Sequence, residues 1–165
     1  MLTARLDRLD LMEYWQEGDR TLRAKFSRPI QAQTGATSTG VVYFEVEPDR
    51  HGGSHAHSAD EVVLILEGEA EAVVGEERAR LSAGDMALIP ARVPHDVYNV
   101  GEVTLRVVGF FPSAAVVTTF GEPLAPMNAK VLVMGAPPPD AQESQDALVD
   151  AARAKEVKSR DPHPY

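Results

Sequence analysis

Cysteine is absent from the 165-residue chain. That removes disulfides, thiolate metal sites and cysteine nucleophiles together. The absence suits the reducing cytoplasm, which is the expected location. Positive charge is scarce too: 16 Lys and Arg stand against 25 Asp and Glu, a formal net charge of -9. A chain this acidic is repelled by phosphate backbones and anionic lipid, so neither nucleic acid nor a membrane surface is expected as a partner. Long apolar runs are missing from the first twenty residues, MLTARLDRLDLMEYWQEGDR, which carry a charge every few positions. No signal peptide and no spanning helix is expected there.

What is present is β-forming sequence. Short runs rich in Val, Ile, Leu, Tyr and Phe recur, separated by Gly, Pro, Asp and Asn. Strands are expected at 21–26, 41–47, 61–67, 69–74, 77–81, 86–89, 95–99, 104–111 and 115–119. Closely spaced turn signals at Gly68, Gly75 and Gly84 read as tight hairpins. Such a series, with no long helix between strands, predicts an all-β antiparallel sandwich or barrel. Residues 1–20 read as an N-terminal arm, either an amphipathic turn or an edge strand. In the run 61–67 both parities are apolar, Val63 and Ile65 on one side, Val62, Leu64 and Leu66 on the other. A strand needs that only when both faces are covered, one by the barrel interior and the other by a second sheet layer or a partner subunit, so a homodimer is expected. The Pro137-Pro138-Pro139 break ends the barrel sequence. After it, Ala147, Leu148, Ala151 and Ala152 share one helical face, predicting a short C-terminal helix and then a tail.

Chemistry concentrates in His51-Gly52-Gly53-Ser54-His55-Ala56-His57-Ser58-Ala59-Asp60-Glu61. Histidines two apart in extended chain point to the same side. Glu61, opening the next strand, can reach the same spot, and two imidazoles with a carboxylate suit a divalent metal. Later, Pro94 shapes a bend before His95, which supplies a fourth ligand if its strand lies beside the first block. Within that strand Asp96 and Tyr98 should face away, with Val97 and Asn99 on the His95 side. His51 reads as a solvated loop histidine, and His163 as part of the tail.

These two blocks resemble the paired motifs of the cupin superfamily. The first appears as His55, His57, Glu61 and Gly68, and the second as Gly84, Pro90, His95 and Asn99, all in register. Asp49 and Arg92 stand where the motifs usually have glycine. The resemblance implies a double-stranded β-helix, or jelly-roll, barrel over 21–135, followed by the break, helix and tail of 136–165. It also implies one divalent transition metal (Fe, Mn, Ni, Co, Cu or Zn) held by His55, His57, Glu61 and His95, with affinity falling as protons compete near the ordinary imidazole pKa of ~6.5. Phe44, Val63, Ile65, Val97 and Asn99 are the expected pocket residues.

Small one-domain cupins with this ligand set include quercetinase-like dioxygenases. The resemblance therefore implies oxygenation of a small flavonol- or catechol-like substrate, with Glu61 as ligand and proton acceptor. A metal-dependent isomerase or lyase of a small carbonyl compound is the alternative, as is a non-catalytic small-molecule binder. Cupin lyases acting on sulfonium compounds typically carry a tyrosine two residues after the glutamate, and that position is Val63 here. No helix-turn-helix segment accompanies the barrel, which argues against a transcription factor.

Overall fold

Strand after strand forms where β-branched and aromatic residues alternate, and each stops at a turn residue. The computed structural model describes residues 1–135. The expected C-terminal helix, the proline break and His163 lie outside the described residues. A short 3₁₀ turn at Leu6–Arg8 precedes twelve strands. They are β1 (Met12–Gln16), β2 (Asp19–Ile30), β3 (Gly40–Val46), β4 (His55–His57), β5 (Glu61–Glu67) and β6 (Glu69–Val74). Then follow β7 (Glu77–Ser82), β8 (Met86–Ile89), β9 (His95–Asn99), β10 (Leu105–Phe111), β11 (Val116–Leu124) and β12 (Ala129–Met134).

The strands make two six-stranded antiparallel sheets, ordered β1-β2-β3-β10-β5-β8 and β12-β11-β4-β9-β6-β7. Consecutive strands therefore alternate between sheets at several points, which is jelly-roll connectivity. Period-2 alternation sends one parity of each strand into the space between sheets. Val46, Val63, Ile65, Leu105, Val107 and Leu124 are buried there. The opposite parity of β5 is half-buried or exposed.

The N-terminal arm contains both a turn and an edge strand, because Met12–Gln16 pairs with β2. Two strands escaped the sequence reading. His55–His57 is a short strand of its own, and Ala129–Met134 pairs with β11. The second signal was legible in the consecutive apolar, β-forming residues Val131, Leu132 and Val133. β2 also runs past Phe26 to Ile30, with its pairing to β3 shifted between Ser27 and Ile30 around Pro29. A proline has no ladder donor, so a register irregularity is where a strand tolerates it.

Candidate metal centre

β4 lies between β11 and β9, and His55 sits in register opposite His95. That pairing joins the two histidine-bearing segments through backbone bonds. The turn before β9 is tied down as well: Arg92 N donates to His57 O at 2.8 Å, and Ala91 N donates to the Asp60 carboxylate at 2.8 Å. Asp49 and Arg92 both adopt positive φ, 60° and 65°. The left-handed turn that glycine would fill is therefore kept at both departures from the motif.

The nitrogens of His55, His57 and His95 lie within 4.8 Å of one another. His55 Nε2 and His57 Nε2 are 3.2 Å apart. Glu61 Oε2 is 3.1 Å from His57 Nε2 and 3.6 Å from His95 Nε2. Each ring is oriented from behind. His55 Nδ1 donates to Gly53 O at 2.6 Å, and His95 Nδ1 donates to Val93 O at 3.0 Å. With Nδ1 carrying the proton, Nε2 of both rings presents a lone pair to the shared point. His57 Nδ1 meets Thr118 Oγ1 at 2.9 Å. Phe120 stacks on His55 and Phe111 packs edge-on against His57, so the rings have little room to turn.

One atom tests whether a cation fits. His95 Nε2 is buried and has no hydrogen-bond partner. A buried acceptor without a partner is costly, and a metal ion among the three nitrogens would satisfy it. Imidazole donors are ordinary for first-row divalent ions, so His55, His57 and His95 could together hold one. Burial, followed by the neighbouring charges of His95 and His57, pulls the His55 pKa down to about 3, which keeps its lone pair free. Burial alone would raise the Glu61 carboxyl, but the His57 and His95 imidazoles beside it outweigh that and bring the pKa down to about 2. The carboxylate is therefore ionised. Gly109 makes its space, because a Cβ there would run into Glu61 Oε1.

The centre opens on a cavity of about 80 Å³. Phe44, Val63 and Val97 line it. Ile65 and Asn99, expected there, do not. Ile65 is packed into the core between the sheets. The Asn99 amide donates to Val46 O and Val103 O and accepts from Gly101 N, so it staples the end of β9 instead. His51 also departs from expectation: it is buried, not solvated. Its Nδ1 is 2.7 Å from Asp96 Oδ2, and its ring stacks on Tyr98 at 4.7 Å. Asp96 and Tyr98 face outward on β9, and the loop carrying His51 folds over them.

The sequence reading missed Tyr14, Phe26, Arg28, Thr118 and Phe120, all on the cavity wall. Arg28 shares the parity of Phe26. It lies beyond the strand expected at 21–26, which in the structure continues to Ile30.

Residues 42–111 match the family model described as Cupin domain. The matched stretch is less than half of the chain. Its wider likeness is distributed over proteins of different length. A Lactobacillus farciminis oxalate decarboxylase, solved as a formate complex, superposes on 66% of this chain and 32% of its own, with TM-score 0.56 and 19% identity. The polyketide cyclase RemF of Streptomyces resistomycificus covers 68% of this chain and 79% of its own, with TM-score 0.56 and 20% identity. At these identities the likeness is one of fold. The uncharacterized protein MJ1618 of Methanocaldococcus jannaschii is 33% identical over 55 residues, which are 33% of this chain and 44% of that protein. The chain thus spans less than half the length of the curated relative and about a third of the decarboxylase. Among the described residues no helix is long and apolar enough to cross a membrane.

Proposed function

We propose that the chain holds one divalent transition metal through His55, His57, His95 and Glu61, and acts as a dioxygenase on a small catechol-like molecule. The observation that carries this reading is the buried, partnerless His95 Nε2, grouped with two other imidazoles on the wall of a mainly apolar cavity. When bound, such a metal supplies Lewis-acid activation and a place for dioxygen and a substrate oxygen. The chain supplies the rest. Phe44, Val63, Val97 and Phe120 exclude water and grip an apolar body. Glu61 is the one carboxylate on the cavity wall among the described residues, so a proton leaving a phenolic hydroxyl would be received at Glu61. Pockets for drug-sized ligands run to roughly 300–1,000 Å³. A cavity of about 80 Å³ therefore favours a one-ring catechol over a three-ring flavonol.

That same compactness supports a second reading, a metal-dependent isomerase or lyase of a small carbonyl compound. Both enzyme readings suit a fold shared with oxalate decarboxylase and polyketide cyclase. Elemental analysis of purified protein should find near one equivalent of metal, lost in His95→Ala. Equal metal content in wild type and variant sinks the centre. Oxygen-electrode assays with catechols and flavonols, on protein loaded separately with Fe, Mn, Ni, Co, Cu and Zn, then divide the classes. Oxygen uptake supports the dioxygenase, turnover without oxygen the isomerase or lyase, and binding without turnover a non-catalytic binder.

A further inference from the structure

The cavity wall contains one cation that the metal chemistry does not use. Arg28 lies on the inner parity of β2, half-buried, with its guanidinium 4.9 Å over the Phe26 ring. Its Nη1 donates to Val133 O at 2.8 Å. No Asp or Glu pairs with it among the described residues, whereas Arg5, Arg23, Arg78 and Arg106 all have carboxylate partners. Partial burial pulls its pKa below the ordinary guanidinium value, the signature of a charge kept from water without a counterion. The arrangement holds the head in place. Phe26 supports one face, the Val133 carbonyl takes one N–H, and the edge formed by Nε and Nη2 is left to donate. That edge matches the two oxygens of a carboxylate.

Position adds to this. Phe26 packs edge-on against Tyr14, Tyr14 against Phe120, and Phe120 stacks on His55. A continuous run of ring contacts thus connects Arg28 to His55 along the cavity wall. Glu61, the wall's one acid, is engaged by His57 and His95. A cavity with a free positive end is unusual in a chain of net charge -9, and it would draw anions that the rest of the surface repels.

We infer that Arg28 is the anion-binding residue of this pocket, and that the substrate is a compact molecule with an oxygen-bearing end at the histidines, an apolar middle, and one carboxylate paired with Arg28. The inference rests on the proposed function for its oxygen-bearing end; the carboxylate end stands on Arg28 alone.

Isothermal titration under anaerobic conditions tests it, using 3,4-dihydroxybenzoate and its neutral isostere 3,4-dihydroxybenzamide on cobalt-loaded and on metal-stripped protein. Wild type should prefer the acid over the amide by about tenfold or more, as expected for a charge-assisted bidentate pair. Arg28→Gln should abolish the preference at unchanged cobalt stoichiometry and unchanged circular dichroism, and Arg28→Lys should restore part of it. The same preference in Arg28→Gln overturns the assignment, as does no preference in wild type or no binding of either compound at millimolar concentration. Tighter binding of the matching phenylphosphonate overturns the carboxylate in favour of a phosphate-type anion. Should the protein take up no cobalt while metal-stripped wild type still prefers the acid through Arg28, the metal reading fails and the Arg28 assignment stands. Cobalt uptake with indifference to residue 28 is the reverse result.

Discussion

A methyl group on residue 109 would run into Glu61 Oε1 and come within 2.8 Å of Val42 Cγ1. Glycine is there for its lack of volume, because the carboxylate lies against the β10 backbone. Gly109→Ala should displace Glu61 from His57 and His95 and cost about 1–3 kcal/mol as an overpacked core site. Urea denaturation would read the stability loss and competition with a chromophoric chelator the weakened metal affinity; wild-type values for both contradict the close approach. His55 and His95 show how single residues at this centre rely on backbone carbonyls. Gly53 O and Val93 O each take an Nδ1 proton and thereby choose the tautomer that offers Nε2. Neither acceptor could be named from spacing, since a carbonyl is present at every position and only chain path selects one.

β9 works on both faces. Inward it carries His95 and Val97, while outward Asp96 is buried beneath His51. The loop that brings His51 there is held by Gly52 N on Val97 O, His51 N on Thr21 O, and the Tyr14 hydroxyl on Gly52 O. The hydrogen bond to Asp96, offset in part by burial and helped by the charges of Asp96 and Asp19, raises the His51 pKa above its ordinary value. A group whose pKa is raised on folding contributes stability that is full below its unfolded value of ~6.5 and is lost as pH rises through the folded value. His51→Gln should therefore destabilise the protein by about 1–3 kcal/mol near pH 5.5, the range for a buried hydrogen bond to a charged group, and by less near pH 9. Thermal melts of both proteins at the two pH values check it; a gap that widens toward pH 9 has the wrong sign. The strand boundaries at 61–67, 69–74, 86–89 and 95–99 were legible because alternation and turn residues agree there. β4 was not, since three residues between loops carry no period, and β2 was cut short because Pro29 masks a strand that continues through an irregularity.

Across the whole barrel, the outer face of the first sheet is apolar at one edge. Leu88 is 63% exposed, Met86 61% and Phe110 41%, and register places Val62 opposite Leu88 and Leu64 opposite Met86. At the other end of that face, Leu6, Leu9 and Leu11 of the N-terminal arm lie beside Tyr43 and Leu66. The arm leaves the β5–β8 edge uncovered, and contiguous exposed apolar side chains of this kind mark association surfaces. A second copy of the chain is the proposed cover. Light scattering at micromolar concentration should give a dimer, and Leu88→Lys a monomer with unaltered metal content; a monomeric wild type removes the proposal.

By itself the amino-acid order determined the all-β class, most strand positions and the four groups His55, His57, Glu61 and His95, because side-chain period and motif spacing are local properties. Tertiary structure alone decided that His55 stands opposite His95, that Asn99 staples a strand end while Phe120 faces the cavity, that His51 is buried on Asp96, and that Arg28, 27 residues before His55, reaches the same cavity. These are contacts between distant segments. Register and sheet packing create them, and no periodicity within one segment encodes which partner it will meet.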